Sequence, residues 1–249
     1  TQSQPNPGNR QQAPPAGDNK LPVVYGTAYL GGVIVDMSIS SDNQDIYWVI
    51  ALCEVTNTET GGTADTFSFG NIYWGGKRVV FDGTEHSKVT GLYDESTGET
   101  QDITGYMDIY LYKNGSSQPT NTTKSAITVM NTSGLIYTWA PSKLMANCVF
   151  AIIHMKYSQS RNLVSLNQTR FQVTNSRTKP GDCFLDYFSS QRYGAAIPLS
   201  QIDTSSLTSL NTYSDELISY TSSVGATLTT PRFRFNGSLL TTQIGRAHV

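Results

Sequence analysis

The chain has 249 residues, a net charge of −2 and only 14% charged side chains, against roughly 25% in an average soluble domain. That length can bury a substantial core in one or two domains, and so small an acidic balance argues against a general phosphate-binding surface. No apolar run approaches the ~20 residues of a bilayer-spanning helix, and the 3 cysteines sit inside apolar runs, which points to buried thiols and not to a disulfide framework.

Thr1–Lys20 carries Pro5, Pro7, Pro14 and Pro15 among Gln and Asn, so it is expected to be a disordered arm or linker. From Leu21 the pattern is mostly β. Val33, Val35, Met37 and Ile39 alternate with Ile34, Asp36 and Ser38, the period of a half-buried strand. Ile46–Val55 is almost continuously apolar, which predicts a strand covered on both faces. Thr56–Asp65 reads as a polar loop around Gly61-Gly62. Ile72–Trp74, Gly75-Gly76 and Lys77–Phe81 read as a tight hairpin. Gly105–Tyr112, Asn147–Tyr157 and Arg170–Thr174 complete the strands; in Asn147–Tyr157 the alternation leaves His154 and Lys156 at an end expected to emerge into solvent.

Helical signals begin at Pro180, a residue suited to a first helical position. Cys183, Phe184, Tyr187 and Phe188 form its predicted apolar face. Gly194 is expected to take positive φ and reverse the chain after Tyr193. Asp203 is a good N-cap, with Ile202 and Leu207 at the positions of a hydrophobic staple, and Leu207, Leu210, Tyr213 and Leu217 continue one face of a second helix. At the corner Asp186, Arg192 and Tyr193 form a polar cluster. Either Arg192 pairs with Asp186 and fixes the corner, or Arg192 and Tyr193 face a neighbouring subunit, where such side chains are favoured anchors.

This segment, C-x-L-D-Y over Cys183–Tyr187, then Arg192-Tyr193-Gly194, Ile197-Pro198 and Ile202-Asp203, resembles the central hub protein of the tailed-phage tail tip, the tip attachment family often called protein J. The resemblance runs from about Leu21 to Thr242. It takes in LPVVYG, IYWVIALCEV, IYWGGKRVVF, AIIHMKY and PRFRFNGSLLTT in that order. Two regions depart from it: the long polar loop after Glu54, and Val89–Ser142. The resemblance implies an α+β, mainly β fold. In it, a β-rich hub region over 21–175 is followed by a helix-turn-helix segment over 176–243 that opens a further, truncated domain. It also implies a virion structural protein at the tail tip, assembled in the host cytoplasm as a homotrimer. Its partners would be the distal tail protein, the tape-measure protein and receptor-binding or tail-fibre proteins, and it would serve in attachment and DNA ejection. On this reading Asp186, Tyr187, Arg192, Tyr193, Gly194 and Asp203 are structural or interface residues.

The residues themselves supply no catalytic, cofactor or metal motif. His86 and His154 have no Cys or carboxylate nearby at a metal-ligand spacing, and sequence-specific nucleic-acid binding has no basic patch to rest on. Asp182 and Asp186 fall four apart on a helix, a pairing a polysaccharide hydrolase can use, but acids near a helix N-terminus commonly serve the dipole. The alternatives are therefore a glycan-binding surface β-domain and, behind it, that hydrolase. The final IGRAHV back-translates to a run resembling a short-read sequencing adapter, so Ile244–Val249 is expected to be an assembly artefact.

Overall fold

Two of the apolar runs, β4 (Asp45–Glu54) and β10 (Cys148–Lys156), pair antiparallel along their whole length. The structure, a computed structural model, describes residues 20–59 and 62–239. The expected arm (Lys20 apart), Gly61 and the Ile244–Val249 segment lie outside them. With β3 (Val33–Ile39) and β9 (Met107–Tyr112) on either side, these strands form a four-stranded sheet in the order β3-β4-β10-β9. A six-stranded sheet joins β2 (Thr27–Leu30), β11 (Thr169–Asn175), β5 (Phe67–Trp74), β6 (Lys77–Phe81), β7 (Val89–Asp94) and β8 (Glu99–Asp102), in that order. The fold is α+β and mainly β.

Alternation along β4 divides its side chains between two cores. Trp48, Ile50 and Leu52 meet Val149, Ala151 and Ile153 of β10, and Phe171 and Trp74 of the other sheet, in the core between the sheets. Tyr47, Val49 and Ala51 point the other way, with Phe150 and Ile152, under a long segment that carries α1 (Ala126–Val129), Met130 and Trp139. The run therefore has no polar alternate because neither face meets water. The β5–β6 hairpin turns at Gly75 and Gly76, with φ of +55° and +84°, values that suit two glycines in a two-residue loop.

The first strand signal is inverted. Val35 and Met37 are exposed, whereas Ser38 is buried. A bulge between Ile34 and Asp36 breaks the alternation. The segment after α1 then latches onto this sheet edge. Trp139 Nε1 donates to Asp36 Oδ2 at 2.7 Å, Lys143 pairs with the same carboxylate, and Ser38 Oγ donates to the Tyr137 carbonyl at 2.6 Å. The polar side chains of β3 turn inward because partners wait there.

Pro180 does open a helix, α2 (Pro180–Ser189), and Asp203 caps α3 (Thr204–Asp215), accepting from the Ser205 and Ser206 amides. The Ser205 and Ser206 hydroxyls, which also donate to this carboxylate, lower its pKa most, and with the amides they hold it down at about 2. The buried face of α2 is Cys183, Asp186 and Tyr187, not the wholly apolar one expected. Phe184 and Phe188 instead stack on each other nearer the surface, 5.6 Å apart. α3 stops at Asp215, so Leu217 lies beyond it and begins β12 (Leu217–Thr221), which pairs with β13 (Thr227–Pro231) in a separate ribbon. β14 (Gly237–Leu239) returns to pair with β1 (Val23–Tyr25), so the end of the described chain is tied to its beginning.

Leu52 is fully buried in the inter-sheet core. Leu52→Ala is expected to cost about 2–5 kcal/mol in chemical denaturation, whereas Val35→Ala on the exposed bulge is expected to stay within about 0.5 kcal/mol.

Candidate functional site

Four separate stretches of the chain converge on the carboxylate of Asp186. α2 buries it. Tyr25, at the end of β1, donates to Oδ2 at 2.5 Å, and Tyr193 donates to both oxygens at 3.0 and 2.9 Å. The Asn57 amide, just past β4, donates to Oδ1 at 3.0 Å. Phe235 closes the group by packing edge-on to Tyr25, 5.8 Å between ring centres. Burial raises the Asp186 carboxyl above the usual carboxylate range, and the two tyrosines and Arg177 only partly offset it. Burial and the facing carboxylate in turn raise both tyrosines, so each stays a neutral donor.

Arg192 does not pair with Asp186. It makes an ion pair with Glu54 at the end of β4 and donates to the Asn147 carbonyl at 3.1 Å. Burial raises the Glu54 carboxyl, opposed by the Arg192 charge. Tyr193 points inward to Asp186 and is buried, so it does not present itself to solvent. Tyr187 is buried beside Tyr25 and Cys183.

Gly194 corrects the expectation of a left-handed turn, because the positive φ at this corner belongs to Ala196, at 56°. Glycine is needed at 194 for room. The corner lies against the C-terminal carbonyls of α2: Ala195 N donates to Tyr187 O at 2.9 Å, Ala196 N to Ser190 O at 3.1 Å and Ile197 N to Phe188 O at 2.7 Å. A Cβ on Gly194 would stand 1.9 Å from the Tyr187 carbonyl oxygen. The reversal thus satisfies carbonyls that a helix end leaves without partners.

A cleft of about 170 Å³ opens beside Asp186, with Asn57, Glu59, Arg177, Ser189 and Leu199 on its walls. It is smaller than the roughly 300–1,000 Å³ of pockets that enclose drug-sized ligands. Arg177 is committed to Asp65 through two hydrogen bonds of 2.7 and 3.1 Å. Asp182 accepts from Asn211 Nδ2 at 2.7 Å.

No family model matches this sequence, and no curated protein matches it. Among solved structures, the chain is similar to a chain of the virion of a native gene transfer agent particle. The TM-score is 0.37 and the identity 13%, over 69% of this chain and 31% of that one. The chain therefore spans less than a third of that neighbour's length.

A second polar cluster was not legible in the sequence. His154 does not emerge into solvent; its side chain is 15% exposed. It lies between two aspartates, with Nε2 2.7 Å from Asp45 Oδ1 and Nδ1 2.9 Å from Asp108 Oδ2, and stacks on Tyr47 at 4.4 Å. Both ring nitrogens donate only when the imidazole is charged. The aspartates grip opposite nitrogens, and among the described residues no group of three His, Cys, Asp or Glu converges as a metal site. The cluster ties β4, β10 and β9 together at one end of the sheet. The three cysteines are buried and unpaired, and burial holds the Cys148 and Cys183 thiols up at about 12.

Two measurements check these assignments. Burial disfavours the charged His154 ring, but the bonds to Asp108 and Asp45 outweigh it, so its pKa is raised from 6.5. The stability it adds is therefore complete below the ordinary histidine value and lost as pH rises through the higher folded value. His154→Gln should lower the melting temperature most at mildly acidic pH, with the gap from wild type closing in alkaline buffer; a gap constant with pH would remove the charged-ring assignment. Arg192→Ala leaves the Glu54 carboxylate buried without its cation. It should cost about 1–3 kcal/mol near neutral pH by denaturant titration, and less in acid, where Glu54 is neutral.

Proposed function

We propose that this protein is a virion structural protein, the central hub of a phage tail tip, and not an enzyme. The observation that carries the reading is the meeting of the hub-like segments at one point. Tyr25 from LPVVYG, Asp186 from the C-x-L-D-Y helix, Tyr193 from Arg-Tyr-Gly and Phe235 from PRFRFNGSLLTT all touch in the Asp186 cluster. IYWVIALCEV and AIIHMKY supply β4 and β10, and IYWGGKRVVF supplies the β5–β6 hairpin. Segments that resemble one family in order and spacing thus occupy the core strands and the corner that the fold depends on.

In this role the protein forms a homotrimer at the end of the tail tube, against the distal tail protein and the tape-measure protein on one side and receptor-binding or tail-fibre proteins on the other. It is assembled in the bacterial cytoplasm and carried in the virion, where it gates passage of DNA. A non-catalytic role is supported by the two helix carboxylates: Asp186 is enclosed by its three donors and Asp182 is held by Asn211, so neither is presented as a free acid–base pair. Among the described residues no helix is long and apolar enough to cross a membrane.

The reading frames beside this one on its source DNA test the proposal. Tape-measure and tail-assembly frames are expected next to it. A setting of polysaccharide-utilisation or secretion genes, with no tail genes, would replace the hub with the glycan-binding reading.

A further inference from the structure

Beyond each of the two aspartates that hold His154 lies a lysine. Strand register sets this out. On β10, His154 and Lys156 are two residues apart and share a face; across on β4, Tyr47 stands opposite His154 and Asp45 opposite Lys156. On β9, Asp108 stands opposite His154, and it is bridged in turn to Lys88, in the connection between β6 and β7. Asp45 therefore reaches His154 on the diagonal and faces Lys156 directly.

The neighbouring groups complete the picture. Tyr47 stacks on the ring, and Tyr110 lies beside Asp108 on β9. Lys88 is bound to Glu85 at 2.6 Å. Asp42 shares the β3–β4 turn with Asp45, where Ser40 Oγ donates to Asp42 and accepts from the Asp45 amide.

A neutral imidazole has one N–H and one lone pair. When the ring loses a proton, one aspartate oxygen is left facing a lone pair at hydrogen-bond distance, and two acceptors that close repel. Asp45 is the one placed to leave. Its side chain is 30% exposed against 22% for Asp108, so water replaces its lost donor more readily. The lysine across from it, Lys156, is exposed, whereas the lysine behind Asp108 is held by Glu85.

We propose that the His154 cluster is a proton-operated latch on the β3–β4 turn: loss of the Nε2 proton to water releases Asp45 toward Lys156, while Nδ1–H stays on Asp108. The turn responds because Asp45 closes it. Ser40 N donates to the Asp45 carbonyl at 2.8 Å and the Asp45 amide to Ser40 Oγ at 2.9 Å. Ser41 N donates to Gly134 O at 2.9 Å, on the segment that covers the second core. The latch is shut in acid and opens as pH rises through the folded pKa of the ring. Burial lowers that pKa, but the bonds to Asp108 and Asp45 raise it more, so it lies above 6.5.

Nitrogen NMR of the full chain with isotope-labelled histidine, titrated from mildly acidic to alkaline pH, tests the latch. The His154 signals are those lost in His154→Gln. In acid both ring nitrogens should carry protons; in alkali only Nδ1 should. Asp45→Asn should keep the Nδ1–H form in alkali, because that aspartate has already let go in wild type, whereas Asp108→Asn should move the proton to Nε2. Across the same midpoint, hydrogen exchange corrected for its intrinsic pH dependence should show loss of protection at the Ser41 and Asp45 amides, and His154→Gln should abolish that pH dependence. An alkaline wild-type ring protonated on Nε2, an even mixture of the two forms, or protection at Ser41 and Asp45 that is unchanged through the midpoint overturns the inference.

Discussion

A strand with no polar alternate has to be covered from both sides, and β4 and β10 are two such strands lying side by side. Everything else in the large body follows from that requirement. The six-stranded sheet covers one face of the pair, and the segment carrying α1, Met130 and Trp139 covers the other. The second cover has little regular structure, so it is held by specific bonds. Asn131 clips the Trp139 backbone through its amide and carbonyl at 3.1 and 2.8 Å, and Asn121 bonds to Ile109, Leu111 and His86 backbone atoms. A chain with few charges does this stitching with carboxamides, which are satisfied by backbone without the desolvation penalty of an ion.

The Asp186 cluster uses one buried carboxylate to join β1, the start of the polar loop after β4, α2 and the corner beyond it. A carboxylate in such a place is costly unless donors surround it. Tyr25, Tyr193 and the Asn57 amide are those donors, and each comes from a different element. The helical segment is therefore fastened to the β body by polar geometry as well as by the small apolar group of Val23, Cys183 and Tyr187. Asn175 extends the same seam, donating to the Val24 carbonyl and to Thr56 at 2.7 and 2.8 Å.

The surface divides along similar lines. Charges gather where they fix local geometry, at Asp65–Arg177, at Glu54–Arg192 and at the stem of the β12–β13 ribbon. Apolar side chains are left outward on that ribbon, along the bulged edge strand at Val35 and Met37, and at Tyr137 on the segment bonded to that strand. With so few charges, these outward apolar side chains have little ionic hydration beside them among the described residues.

Features set by neighbours a few residues away were readable from the sequence. The continuous apolar runs of β4 and β10, the Gly75-Gly76 turn, Pro180 opening α2 and Asp203 capping α3 all depend on local sterics or on side chains that reach their own backbone. The rest depended on which strands lie side by side. The alternation of Val33–Ile39 was read correctly as a pattern and wrongly as a burial, because a one-residue bulge reverses which face a side chain takes. His154 looked unpartnered because its aspartates are 109 and 46 residues away, and Tyr25 and Asp186 are 161 apart. Arg192 chose Glu54 over the nearer Asp186 because the strand register puts Glu54 opposite Cys148, beside the Asn147 carbonyl that Arg192 also meets. Local sequence determined the core strands, the Gly75-Gly76 turn and the starts of both helices, but not where α3 ends or that β12 begins at Leu217; only the packed sheets decided the partners of the buried charges, since those pairings come from register between segments distant in the chain.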